Sequence, residues 1–191
     1  MKSGYHTAIA MAREKLAGMD IDGVCKRTGA QYVDGDYLAP WLGEMRPLSG
    51  GSDVEQVLWL HYLTSEGAGM PSGRLCAFRE FPGAFYEDVF MARALRPILK
   101  RFGRDPEALL PAAEALHGGR AAASHSAGNY AATIYAFPML PVTYILWPGD
   151  EEGEASGQIL FDANAIGWLC VEDLVVAASQ VSYALLRAAA N

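Results

Sequence analysis

From Pro138 to Asp173 the chain sets out two apolar runs that each end in carboxylates, and no other segment limits the fold as much. Pro138-Met-Leu-Pro-Val-Thr-Tyr-Ile-Leu-Trp-Pro-Gly-Asp-Glu-Glu comes first, then an acidic loop containing Gly and Ser, then Gln158-Ile-Leu-Phe-Asp162-Ala-Asn-Ala and Val171-Glu-Asp-Leu. Short apolar runs bounded by Pro, Gly and Asp read as strands. The pattern predicts strands over 131–137, 142–147 and 158–161, the first two joined at Pro138-Met-Leu-Pro141. The helix expected over 171–190 carries Leu174, Val175, Val176, Val181, Leu185 and Leu186 on more than one face. A helix of that kind belongs in a core or at an interface, so homo-oligomerisation through it is expected.

Charge is equally uneven. Residues 121–186 hold no Lys or Arg but do hold Asp150, Glu151, Glu152, Glu154, Asp162, Glu172 and Asp173, which concentrates the net charge of -7 there. Such a face suits a cation, a small molecule or a basic protein partner. It does not suit nucleic acid, because phosphate binding needs clustered Lys and Arg to release counterions. The one basic cluster, Arg93, Arg96, Lys100, Arg101 and Arg104, falls on a predicted helix and its end, and reads as a solvated face.

The 191 residues, 51% hydrophobic and 19% charged, support one full core and a single domain over 1–191. No run approaches the roughly 18 apolar residues of a membrane span. The opening Met-Lys-Ser-Gly-Tyr-His-Thr lacks an apolar signal core, so a cytoplasmic location is expected. Cys25, Cys76 and Cys170 are odd in number and form no Cys-x-x-Cys pair, which argues against a zinc knuckle, an iron–sulfur motif or a disulfide framework.

Along the chain, 5–19 reads as an amphipathic helix, and Asp20 and Gly29 bracket a second, short one. Residues 31–48 suggest two strands around the Asp34-Gly35 turn. Ser52 and Glu55 have capping-box spacing ahead of a helix over 53–65. A strand over 74–78 leads into Arg79-Glu-Phe-Pro-Gly83. A long helix over 85–102 is interrupted at Pro97, and Asp105-Pro106 opens another that runs to Leu116. Residues 121–129 look like a loop. Helices that precede a few short strands, without βαβ alternation, indicate an α+β domain with a short mixed or antiparallel sheet.

Several segments in order, Thr28-Gly-Ala, Leu58-Trp-Leu-His-Tyr-Leu63, Phe78-Arg-Glu-Phe-Pro-Gly83, Trp147-Pro-Gly-Asp-Glu-Glu152, Ile159-Leu-Phe-Asp-Ala163 and Glu172-Asp-Leu174, make the chain resemble DUF3786, a bacterial and archaeal family found largely in anaerobes. Some members of that family carry an added cysteine-rich iron–sulfur segment. This chain has none, so the resemblance does not imply that cofactor, and it implies an architecture rather than a reaction. After Glu152 the chain also departs from the family pattern, with Gly-Glu-Ala-Ser-Gly in place of an aromatic residue and prolines.

The candidate site gathers Arg79, Glu80, Trp147, Asp150, Glu151 and Asp162 where strand ends converge, with His61 as a further ligand-binding candidate. Two neighbouring carboxylates raise one pKa or hold a hard cation between them. Turn chemistry at Pro148-Gly-Asp and loop capping by Asp162 are the alternatives. Arg79 and Glu80 offer either an ion pair between strand ends or anion recognition. His61 lies in an apolar helix and reads either as a buried donor or as a ligand for a metal or tetrapyrrole. His125 in Ser-His-Ser lacks the elbow of a hydrolase nucleophile. Three functions follow: an accessory domain that binds a small ligand or cofactor, a metal-dependent hydrolase using Asp150, Glu151 and Asp162, or an acidic protein-interaction module.

Overall fold

A computed structural model of the protein describes residues 4–116, 119–121, 130–149 and 153–190. The N-terminal third is built from locally determined pieces. Helix α1 (Gly4–Ala17) buries Ala12 and Leu16. Helix α2 (Ile21–Thr28) starts where the Asp20 carboxylate accepts the Gly23 N–H, and ends at Gly29, whose φ of 77° suits a residue without a Cβ. Helix α3 (Asp53–Thr64) starts with the reciprocal Ser52–Glu55 capping box.

Between α2 and α3 lies a small antiparallel sheet of β1 (Gln31–Val33), β2 (Asp36–Trp41) and β3 (Glu44–Pro47), in that order. Sequence reading expected two strands here, and the third is a correction. Its turn, Leu42-Gly43, has positive φ at both residues, 49° and 79°, matching the Asp34-Gly35 turn before it. Two-residue turns of this hand follow the twist of the flanking strands. Leucine rarely adopts this conformation, so the turn carries little local signal.

The larger sheet has the order β4-β8-β7-β6-β5, and every pairing in it is antiparallel. Its strands are β4 (Leu75–Ala77), β5 (Gly119–Ala121), β6 (Tyr130–Phe137), β7 (Leu140–Trp147) and β8 (Ser156–Asp162). The expectation of a single sheet therefore resolves into two, and β5 begins before the stretch expected to be a loop. A register shift between Tyr135 and Phe137 lies opposite Pro141, which has no N–H to give the ladder. Ala136, left out of register by this bulge, gives its carbonyl to the Leu42 N–H at 3.0 Å and so ties the two sheets together.

Helix α4 (Glu87–Phe90) continues through a π-turn (Met91–Leu95) into α5 (Arg96–Phe102). The interruption predicted at Pro97 takes this form. Proline offers no N–H to the turn before it, and the Arg96 N–H reaches back to the Met91 carbonyl instead. Asp105 does precede the next helical segment, but its side chain makes no cap bond; Pro106–Ala108 is a 3-10 turn leading into α6 (Leu109–Glu114).

Helix α7 (Val171–Ala188) packs across the larger sheet. The Tyr144 hydroxyl of β7 donates to the Ala178 carbonyl at 3.1 Å and shares a 2.9 Å bond with Ser182. Stacked Tyr62 and Phe137 rings, 4.0 Å apart, carry the core on toward α3. Helices and sheets thus share one core and form a single α+β domain. No helix among the described residues is long and apolar enough to cross a membrane.

Candidate functional site

Asp162 terminates β8 and is 1% exposed. Its Oδ1 accepts the N–H groups of Ser72 (3.0 Å) and Asn164 (2.9 Å), and its Oδ2 accepts the Gly73 N–H at 2.7 Å. The Ser72 hydroxyl lies 3.1 Å from both oxygens. Burial pushes the carboxyl up, but these donors outweigh burial and hold its pKa below the ordinary value. The carboxylate fastens the connector after α3 to the turn after β8. Asn164 Nδ2 donates to the Met70 carbonyl at 2.9 Å and Trp168 Nε1 to the Gly69 carbonyl at 3.2 Å, which completes the fastening.

The expected convergence of strand ends is corrected by the register. Trp147 faces Ser156, while Asp162 is six residues further along β8, ~20 Å away at ~3.3 Å per residue. Consecutive antiparallel strands end at opposite edges of a sheet, so Trp147 and Asp162 do not meet. Leu75 faces Asp162 and Ala77 faces Leu160, so the chain leaving β4 carries Arg79 away from Asp162. Arg79 and Glu80 sit in a 3-10 turn (Phe78–Glu80) rather than at the end of a strand, and both are exposed. Glu80 accepts the Ala77 N–H at 3.1 Å, and Arg79 has no ion pair among the described residues. Asp150, Glu151 and His125 lie outside the described residues.

His61 does acquire a charged partner, and it comes from the other end of the chain. Its Nδ1 lies 2.8 Å from Oδ2 of Asp173, on the first turn of α7. The same oxygen receives the Cys170 thiol at 3.1 Å. The hydrogen bond to Asp173 raises the imidazole pKa, although burial and Lys15 oppose the rise. Asp173 fixes which ring nitrogen carries the proton and leaves Nε2 without a bond among the described residues. Cys170 is exposed, yet partial desolvation of its sulfur, reinforced by the Asp173 and Glu172 side chains, raises the thiol pKa, so it stays protonated at neutral pH and is a poor nucleophile. No group of three or more His, Cys, Asp or Glu among the described residues is placed to hold a metal ion.

A cavity of about 860 Å³ opens between the β2–β3 hairpin, the first turns of α3 and the second half of α7. Trp41 and Trp59 line it, both buried, with ring centres 6.4 Å apart. Tyr183 and Arg187 line it from α7, and the Arg187 guanidinium sits 5.8 Å from the centre of the Tyr183 ring. Arg46 on β3 pairs with Glu44 at its rim. Sequence reasoning missed this cavity because β3, which forms one wall, was not recognised. It also missed Asp173 and Cys170, although Glu172-Asp-Leu174 and the His61 segment both belong to the resemblance motifs. Those two motifs meet at the His61–Asp173 bond.

A family model described as a domain of unknown function, DUF3786, matches residues 20–184. That stretch includes α3, the sheets, Asp162, the His61–Asp173 pair and most of the cavity wall. No curated protein and no solved structure matches the chain.

Proposed function

Given that the chain belongs to the DUF3786 family, we propose that it is an accessory domain that binds a small ligand in the cavity between the β2–β3 hairpin, α3 and α7. The supporting observation is the cavity itself. Its volume of about 860 Å³ falls within the range of small-molecule sites. Its wall combines aromatic faces with a few charged groups, the mixture that gives such sites both affinity and orientation. The hydrolase reading is weaker, because Asp162 already accepts from three backbone amides and a hydroxyl and has little capacity left for a cation. The interaction-module reading is weaker too: Asp162 and Asp173 are buried and bonded within the domain, which leaves Glu154 and Glu172 as the exposed members of that acidic set among the described residues.

The test is titration with two aromatic fluorophores, anilinonaphthalene sulfonate and uncharged N-phenylnaphthylamine, on the natively folded protein. Ala184 lines the cavity, so Ala184→Trp fills it. Saturable binding of at least one probe, lost in Ala184→Trp while the melting temperature is kept, is the expected result. Absence of saturable binding, or binding that survives the substitution, refutes the proposal.

A further inference from the structure

We infer that the cavity takes an organic anion: a planar or aromatic body carrying a carboxylate or phosphate group, with Arg187 as its charge partner. This rests on the ligand-binding reading above. Four charged side chains line the cavity: Glu44, Arg46, Glu55 and Arg187. Three of them are engaged by the protein. Glu44 and Arg46 pair with each other. Glu55 accepts from the Ser52 N–H at 2.9 Å and the Ser52 hydroxyl at 2.7 Å, closing the α3 capping box.

Arg187 differs. It is exposed, lies against the Tyr183 ring, and has no carboxylate partner among the described residues. It is also the first Lys or Arg after Arg120, so the acidic C-terminal third brings its one cation to the cavity wall. A guanidinium presents parallel donors that match two oxygens of a carboxylate or phosphate. The exposed Tyr183 ring supplies an aromatic face for the ligand's body, while Trp41, 5% exposed, only borders the cavity. A cationic ligand would meet carboxylates that are already occupied together with an unpaired guanidinium. A neutral ligand would gain no charge-assisted bond from that guanidinium, which water solvates in the free protein. In a chain of net charge -7, long-range attraction does not draw anions in, so selection here is by direct bonding at Arg187.

The two fluorophores of the preceding test differ chiefly in the sulfonate, which separates this inference from the reading beneath it. Anilinonaphthalene sulfonate should bind at least about tenfold more tightly than N-phenylnaphthylamine, the discrimination expected of one charge-assisted contact. Arg187→Gln should abolish that preference while leaving N-phenylnaphthylamine binding intact, and Arg187→Lys should retain part of it. Displacement of the sulfonate probe by benzoate or by phenyl phosphate identifies the head group, the stronger competitor marking carboxylate or phosphate. Equal affinities for the two probes, an unchanged preference in Arg187→Gln, or displacement by neither competitor overturns the anion inference and leaves ligand binding standing. Failure of both probes to bind defeats the underlying reading instead.

Discussion

Replacing Asp162 with Asn tests whether this carboxylate is architecture. The side chain keeps its shape but loses its charge and one acceptor. If the amide oxygen takes the Oδ1 position, it keeps the Ser72 and Asn164 N–H groups as partners. The amide nitrogen then faces the Gly73 N–H, donor against donor, where Oδ2 had accepted at 2.7 Å. A hydrogen bond to a charged group contributes ~1.5–3 kcal/mol, and an unsatisfied donor costs ~1–3 kcal/mol. Ser72 and Gly73 are exposed residues that water reaches, so the total should lie near ~2–3 kcal/mol. With a urea slope of ~2 kcal/mol/M, the denaturation midpoint should fall by ~1 M. The folded-state pKa of Asp162 is depressed, so its contribution is complete above the unfolded value of ~3.9 and fades as pH falls through the folded value. The two proteins should therefore differ in urea midpoint at pH 6 and converge under acid conditions. Probe binding in the cavity should not change. A midpoint shift below ~0.3 M at pH 6, or loss of probe binding with stability intact, refutes the structural assignment.

Two further outcomes follow from named contacts. The folded-state pKa of His61 is raised by Asp173, so the pair's stabilisation is complete below ~6.5 and is lost as pH rises through the folded value; the stability gap between wild type and His61→Gln, ~1 kcal/mol or less for a partly exposed pair, should narrow from pH 5.5 to 8.5 in urea melts. Tyr144→Phe removes a buried hydroxyl from Ala178 and Ser182, so it should cost ~1–2 kcal/mol in thermal or urea unfolding, and adding Ser182→Ala should cost less than the sum of the two single changes.

The sequence was legible where structure is set within a few residues. Asp20, Gly29, Ser52 and Glu55 cap their helices as their spacing predicts, because each bond closes over four residues or fewer. Pro97 announces its interruption because a missing N–H has the same consequence in any helix. The β2–β3 hairpin was not legible. Leu42 adopts positive φ in a turn whose N–H is held by Ala136, 94 residues away, and a local pattern carries no trace of that contact. His61 and Asp173 are separated by 112 residues for the same reason. The expected meeting of Trp147 with Asp162 fails on a different ground, while Asp150 and Glu151 lie outside the described residues. A short connector between β7 and β8 enforces antiparallel pairing, and side chains at the tails of such neighbours point to opposite ends of the sheet. Convergence of the two tails would have required a parallel crossover. Among the described residues, the donors to Asp162 come from the glycine-rich connector after α3 and from the turn after β8.

The pairing of Leu75 with Asp162 also governs the order in which the domain can be completed during synthesis. Until the ribosome has released β8 and the turn after it, β4 has no neighbour to complete its ladder, and Ser72 and Gly73 have no carboxylate to receive their amides. Helices α2 and α3, whose caps are local, can form early, whereas the β2–β3 hairpin waits for Ala136 and the glycine-rich stretch from 66 to 74 waits roughly ninety further codons for Asp162. Substitutions that slow the emergence of β8 should therefore lower yield in the cell more than they lower the stability of the finished protein.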